Sequence, residues 1–254
     1  MSYDLDGSTN YLTLPVSNSW EFTNNVLICG IVRIDSFTND NTVAVWGENG
    51  VSGYALFVRS TSGNLAFNKN GVAAVNGTAT TALSINTWYA VMGHSSSGGA
   101  GTFRRYNLET KVMASETPAS TGAINIPTDD PGVIGRWLTA VSYLNGKIAC
   151  VALYNRAAFS ESEFRMWAHS YGRMPTSSRP VGYWPLYNSP VDLSGNAINA
   201  TLVSGTVADG PPSAGVPFGF DLGWQGAFTA AAAGGVSIPI AAYHYNHHLG
   251  SMAS

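Results

Sequence analysis

The chain has 254 residues, 45% of them hydrophobic and 11% aromatic, enough for one large β domain or one domain with an extension. Charged residues make up only 11% and the formal net charge is -3, so no basic stripe exists to neutralise nucleic-acid phosphates. The aromatic content argues against disorder, and no stretch approaches the roughly 18 apolar residues that span a membrane.

Short β-favouring runs separated by turn chemistry dominate the chain. Strands are predicted at 3–5, 10–14, 26–34, 43–46, 54–59, 64–68, 71–75, 87–93, 102–106, 111–114, 133–136 and 147–154. Asn-Gly pairs at Asn49-Gly50, Asn70-Gly71, Asn76-Gly77 and Asn145-Gly146 offer the positive φ angles of tight hairpin turns. Turns at intervals of roughly 8 to 12 residues suggest a sandwich or jelly roll. One helix stands out: Ser160-Glu-Ser-Glu163 is a capping box, which accounts for Glu161 and Glu163, and Phe159 and Phe164 hold the hydrophobic-staple positions. Phe164, Trp167, Ala168 and Tyr171 then share one face, expected to lie on the sandwich, and Gly172 is the natural stop. Residues 175–180 read as a linker, 181–187 as an edge strand because of Pro185, and 200–203 as a further short strand. Residues 208–220 are rich in Pro and Gly, and 226–243 are small and apolar.

Cys29 and Cys150 lie in continuous apolar runs and read as reduced, buried thiols; a disulfide needs their strands to be neighbours. The first residues carry no basic start followed by an apolar run, so no secretory signal is expected. With only three lysines, Lys69, Lys111 and Lys147, the surface is expected to be largely Ser, Thr, Asn and Gly.

Three stretches carry a resemblance. Asp4-Leu-Asp-Gly-Ser-Thr-Asn-Tyr-Leu12 resembles the opening strand of laminin-G-like, concanavalin A-like domains. Thr87-Trp-Tyr-Ala-Val91 is similar to a central strand of that family, and Leu144 to Phe164 is similar to its closing strand and helix. The pair Ala149-Cys150 stands where the family has Asp-Glu, so polar or metal roles of those acids are absent. Val181-Gly-Tyr-Trp-Pro-Leu186, with Asp192-Leu-Ser-Gly-Asn196 and Asn199-Ala-Thr-Leu202, is similar to a segment that usually precedes the opening strand. Here it follows the helix, and it is expected to complete the same sandwich in permuted order. The resemblance implies that the first long strand and the last are neighbours, which brings Cys29 and Cys150 into one layer.

The expected architecture is all-β: an antiparallel β-sandwich (jelly roll, concanavalin A-like) with one short helix and an extended C-terminal arm. Residues 1–175 form the sandwich, 176–203 complete it or pack on it, and 204–254 form the arm for docking or oligomerisation. A glycosidase on this fold needs two carboxylates flanking the sugar. Asp4 and Asp6 have the strand spacing for that, but Asp6-Gly-Ser8 reads as a turn. No nucleophile motif is present, and His94 and His169 read as ordinary surface or loop histidines. Calcium is common in this family, and the loop candidates are Asp129 with Asp130, and Asp35 with Asp40. His244, His247 and His248 have the spacing of a helical metal face, against the plainer reading of a polar tail.

The favoured function is a non-catalytic virion structural protein, a capsid decoration or a head or tail appendage. It is synthesised in the host cytoplasm and partnered by other virion proteins and by itself through the arm. The alternative is a stand-alone carbohydrate-binding module that takes glycans. A glycoside hydrolase comes third, and neither nucleic acid nor membrane is an expected partner.

Overall fold

The computed structural model describes residues 2–47, 51–69, 76–97, 101–118, 123–128, 130–138, 142–172, 179–186 and 189–211. The predicted strand 71–75, Asp129, His244, His247, His248 and nearly all of the predicted arm lie outside the described residues. Strands are numbered in chain order. One sheet runs β10 (Met113–Glu116), β9 (Thr102–Asn107), β8 (Trp88–Ser96), β3 (Asn25–Ile34), β12 (Asn145–Tyr154), β1 (Ser2–Asp6) and β15 (Thr206–Ala208), with β13 (Gly182–Trp184) also on β12. The other runs β14 (Thr201–Ser204), β2 (Tyr11–Leu14), β11 (Gly132–Ile134), β4 (Asn41–Trp46), β5 (Tyr54–Val58), β6 (Asn64–Lys69) and β7 (Asn76–Ala82). Both sheets are antiparallel, and the fold is the expected sandwich with one short helix, α1 (Glu161–His169).

Side chains alternate across a strand, and that alternation builds the core. Leu12 and Leu14 of β2, and Tyr54, Leu56 and Val58 of β5, point between the sheets. Trp20, Trp46 and Trp184 are fully buried there with Tyr54, and each such side chain contributes on the order of 2–3 kcal/mol of burial. Three of their polar ends reach backbone acceptors: Tyr54 Oη donates to Trp20 O at 2.8 Å, Trp184 Nε1 to Ile198 O at 2.8 Å and Trp20 Nε1 to Asp130 O at 3.2 Å.

The unbroken apolar runs of β3 and β12 have a separate cause: both of their faces are covered. Val26, Ile28 and Val32 enter the core, while Leu27, Cys29 and Ile31 turn outward under α1. In β12 the register slips between Ile148 and Cys150, so Ala149 and Cys150 both join the outer layer. The two cysteines are buried thiols outside any disulfide, and burial, reinforced by Cys150, pushes the Cys29 thiol well up. The helix itself follows its capping chemistry. Glu163 N donates to Ser160 Oγ at 3.2 Å, and Ser160 N donates to Glu163 Oε2 at 2.7 Å. Phe159, Phe164, Trp167 and Ala168 are buried against the sheet, and Gly172 ends the helical region at φ +88°.

After the helix the chain returns to the sandwich. β13 pairs with Val151–Leu153, β14 pairs with β2, and β15 pairs with β1. β15 lies inside the range that the sequence assigned to the arm, and Ser2 Oγ donates to Asp209 O at 2.8 Å just beyond it. Asp192, only 6% exposed, ties β13 to the following loop. Its carboxylate accepts from Tyr183 N at 2.9 Å, Ser194 N at 2.8 Å, Ser194 Oγ at 2.8 Å and Ile198 N at 3.0 Å. No helix among the described residues is long and apolar enough to cross a membrane.

Two of the predicted Asn-Gly turns are strands instead. Asn76-Gly77 lies within β7, and Asn145-Gly146 opens β12. At Gly146 the φ of +151° and the close approach of Arg33 O, 2.0 Å from where a Cβ would sit, require glycine without any reversal of the chain. Glycine there serves close strand packing and not a hairpin.

Candidate site on the outer face of the seven-stranded sheet

The face of this sheet turned away from the core carries small side chains edged by large ones. Val133 of β11 lies opposite Thr13 on one side and Val45 on the other, and Val45 lies opposite Ala55. Phe57 lies opposite Ala66. Val45, Ala55, Phe57, Ala66 and Val133 form one buried cluster, against which Tyr11, Trp137 and Leu138 pack half-buried. The alternation that sends Leu12 and Leu14 inward sends Tyr11 and Thr13 to this face.

The segment between β11 and β12 supplies the rest. Arg136 and Tyr143 form an antiparallel bridge, and Trp137 N donates to Ser142 O at 2.8 Å. This ladder lays its side chains against the sheet. Trp137 meets Phe57 edge-on at 5.5 Å, and Tyr143 meets Tyr11 edge-on at 6.2 Å. The Arg136 guanidinium stands 3.8 Å from the Tyr11 ring centroid. Arg59 stands 5.1 Å from the Phe57 centroid and reaches Asp40 at 3.7 Å. Arg136 has no such acid among the described ion pairs, and its Nε is buried without a hydrogen-bond partner. A buried donor without an acceptor costs on the order of 1–3 kcal/mol. The half-buried rings and one charged donor group, standing over a floor that is itself buried, are the materials of a site for a ligand with both apolar and polar faces, as a sugar ring has.

A model of the concanavalin A-like lectin/glucanases superfamily, of the laminin G type, matches residues 6–163. The chain belongs to this superfamily. Among solved structures, this superfamily member is similar to a candidate carbohydrate binding protein from Bacteroides ovatus ATCC 8483. The TM-score is 0.53 at 19% identity, with 83% of this chain and 62% of that chain covered, so the chain spans about three fifths of that protein. It is also similar to domains LG4-5 of the mouse laminin alpha1 chain, at TM-score 0.48 and 12% identity, covering 83% of this chain and 47% of that one. A third similarity, at TM-score 0.45 and 12% identity, is to tailspike protein 2 of Escherichia coli O157:H7 bacteriophage CAB120, covering 73% and 30%. At these identities the likeness concerns the fold. A search of curated protein sequences finds no match.

The candidates named from the superfamily member's sequence fall elsewhere. Asp6 is a turn staple: its carboxylate accepts from Ser8 N and Oγ, Thr9 N and Oγ1, and Asn10 N. Desolvation pushes its pKa up, but the bonds from Thr9 and Ser8 outweigh it and hold the carboxyl far below its usual range. Asp4 lies between Lys147 and Thr206 on the outer face of the eight-stranded sheet. Asp35 pairs with Arg33 at 2.8 Å, and Asp40 accepts from Ser60 N at 2.6 Å. Asp130 accepts from Ser52 Oγ at 2.6 Å. Asp6, Asp35, Asp40 and Asp130 each have a hydrogen-bond or ion-pair partner, and the described residues hold no group of three or more His, Cys, Asp or Glu side chains that fits a metal ion.

Two histidines depart from the surface reading. His94 is inside β8, buried, with Nε2 3.2 Å from Asn25 Oδ1. His169 is half-buried, with Nε2 3.0 Å from Tyr106 Oη, because the helix packs onto β9 more broadly than the aromatic stripe alone implies. Sequence reasoning missed Tyr11, Arg136, Trp137 and Tyr143. Strand alternation marks Tyr11 as opposite in facing to Leu12, but nothing in a linear pattern brings Arg136, Trp137 and Tyr143 against β2 and β5.

Proposed function

We propose that the chain is a non-catalytic carbohydrate-binding domain whose ligand lies on the outer face of the seven-stranded sheet. The observation that carries this reading is the half-buried aromatic group Tyr11, Trp137 and Tyr143 around Arg136 on the outer face of the sheet. A pyranose presents C–H groups that pack on aromatic rings and hydroxyls that meet polar edges. The reading is further supported by Asp6, which stays ionised and so makes a poor general acid. The test is calorimetric titration with a panel of neutral and charged oligosaccharides, run on the chain and on Trp137→Ala. Binding weakened about tenfold or more by the substitution, with unfolding unchanged, supports the site. A chain that binds no member of the panel, or a variant that binds as well as the parent, sinks it.

A second reading keeps the same domain as a structural element of a virion, made in the host cytoplasm, with residues beyond 211 as an assembly arm. The observation that favours it is that the last described strand, β15, is an edge strand among the described residues, and an edge strand presents backbone groups on which another chain can pair. Its test is the solution mass of the full chain against a chain ending at Asp209. An oligomer that becomes a folded monomer on truncation supports an assembly arm, and monomers in both cases refute self-association.

A further inference from the structure

This inference rests on the glycan reading of the outer face and narrows it. We propose that the platform selects glycans bearing an anionic group, a carboxylate or a sulfate, and that Arg136 is the residue that selects them. Arginine is the side chain suited to such groups, because its planar fork of N–H donors matches two oxygens at once.

Three observations carry the assignment. The Arg136 guanidinium is held 3.8 Å above the Tyr11 ring, and Tyr143, its bridge partner, lies against the same ring, so the charge is positioned before any ligand arrives. Stacking occupies one face of the guanidinium and leaves its in-plane donors for an acceptor. Among the described residues no ion pair includes it, and its buried Nε has no hydrogen-bond acceptor. The other arginine on this face is different, since Arg59 has Asp40 at 3.7 Å. An anionic ligand supplies the missing partner, while Trp137 and the tyrosines supply the surface for the sugar rings.

The experiment titrates the full chain at low and at high salt with three probes of equal length: a neutral gluco-oligosaccharide, an oligogalacturonate and a sulfated gluco-oligosaccharide. The parent, Arg136→Gln, Arg136→Lys and Trp137→Ala are compared, with unfolding midpoints measured for each. One or both anionic probes are expected to bind about tenfold tighter than the neutral one, with the advantage shrinking at high salt. Which of the two responds distinguishes carboxylate from sulfate. Arg136→Gln is expected to abolish the preference, so that the variant binds anionic and neutral probes equally, and Arg136→Lys to restore part of it. Equal binding of neutral and anionic probes, or a preference that survives Arg136→Gln, overturns the assignment and leaves the platform standing. Binding unchanged in Trp137→Ala, or no binding by any probe, overturns the platform itself.

Discussion

His94 gives a sharp test of the packing in the eight-stranded sheet. Only 7% of its surface is exposed. Burial is the main cause that lowers its pKa from 6.5 to about 4, with the positive charges of Lys69 and Arg104 adding to it. The unfolded chain protonates this histidine near 6.5, but the folded chain resists until about 4. Its contribution to stability is therefore full above pH 6.5 and is lost progressively as the pH falls towards 4. One pKa unit is worth about 1.4 kcal/mol, so the complete loss has a ceiling of about 3 kcal/mol, and about 2 kcal/mol after solvent screening. Acidic residues titrate over part of the same range, so the comparison is made against His94→Gln. Glutamine keeps an amide donor for Asn25 Oδ1 and takes up no proton. Urea unfolding of both proteins is measured between about pH 7 and about pH 4. The parent is expected to lose about 2 kcal/mol more than the variant over this range. Equal losses refute the claim that His94 is buried as a neutral ring.

Further outcomes follow from particular bonds. Asp192→Ala leaves the N–H groups of Tyr183, Ser194 and Ile198 without their acceptor, and is expected to cost about 3 kcal/mol or more in chemical unfolding; Asp192→Asn recovers part. A cost below about 1 kcal/mol contradicts its role as the tie between β13 and the following loop. Ser160→Ala removes the helix cap and is expected to cost about 1 kcal/mol in the same assay, with near-ultraviolet circular dichroism of the Trp167 layer retained. At Glu116 desolvation pushes the pKa up, but hydrogen bonds from Thr80 and Thr81 outweigh it and bring it down from 4.5 to about 2. The parent's advantage in stability over Glu116→Gln is expected above pH 4.5 and to shrink as the pH falls towards 2. An advantage that does not change over that range refutes the pairing of Glu116 with the β7 edge.

Local chemistry was written in the sequence wherever neighbours along the chain do the work. The capping box at Ser160 and Glu163, the staple of Phe159 and Phe164, and the turn at Asp6 all bond within a few residues, so their pattern is visible without a fold. The strands at 10–14 and 54–59 were likewise legible from their composition and flanking turns, and the family resemblance supplied the sandwich. What decided the rest was contact between distant segments. His94 is buried in β8 between β3 and β9, and Asn76-Gly77 becomes a strand only because β6 lies beside it. The candidate site has the same origin. Tyr11, Phe57 and the pair Arg136-Trp137 are separated by tens of residues, and they meet because two β strands and one bridged segment converge on one face of a sheet. Side-chain facing is a local property with a period of two, but which faces are covered, and by what, is fixed by the order of strands in the sheet.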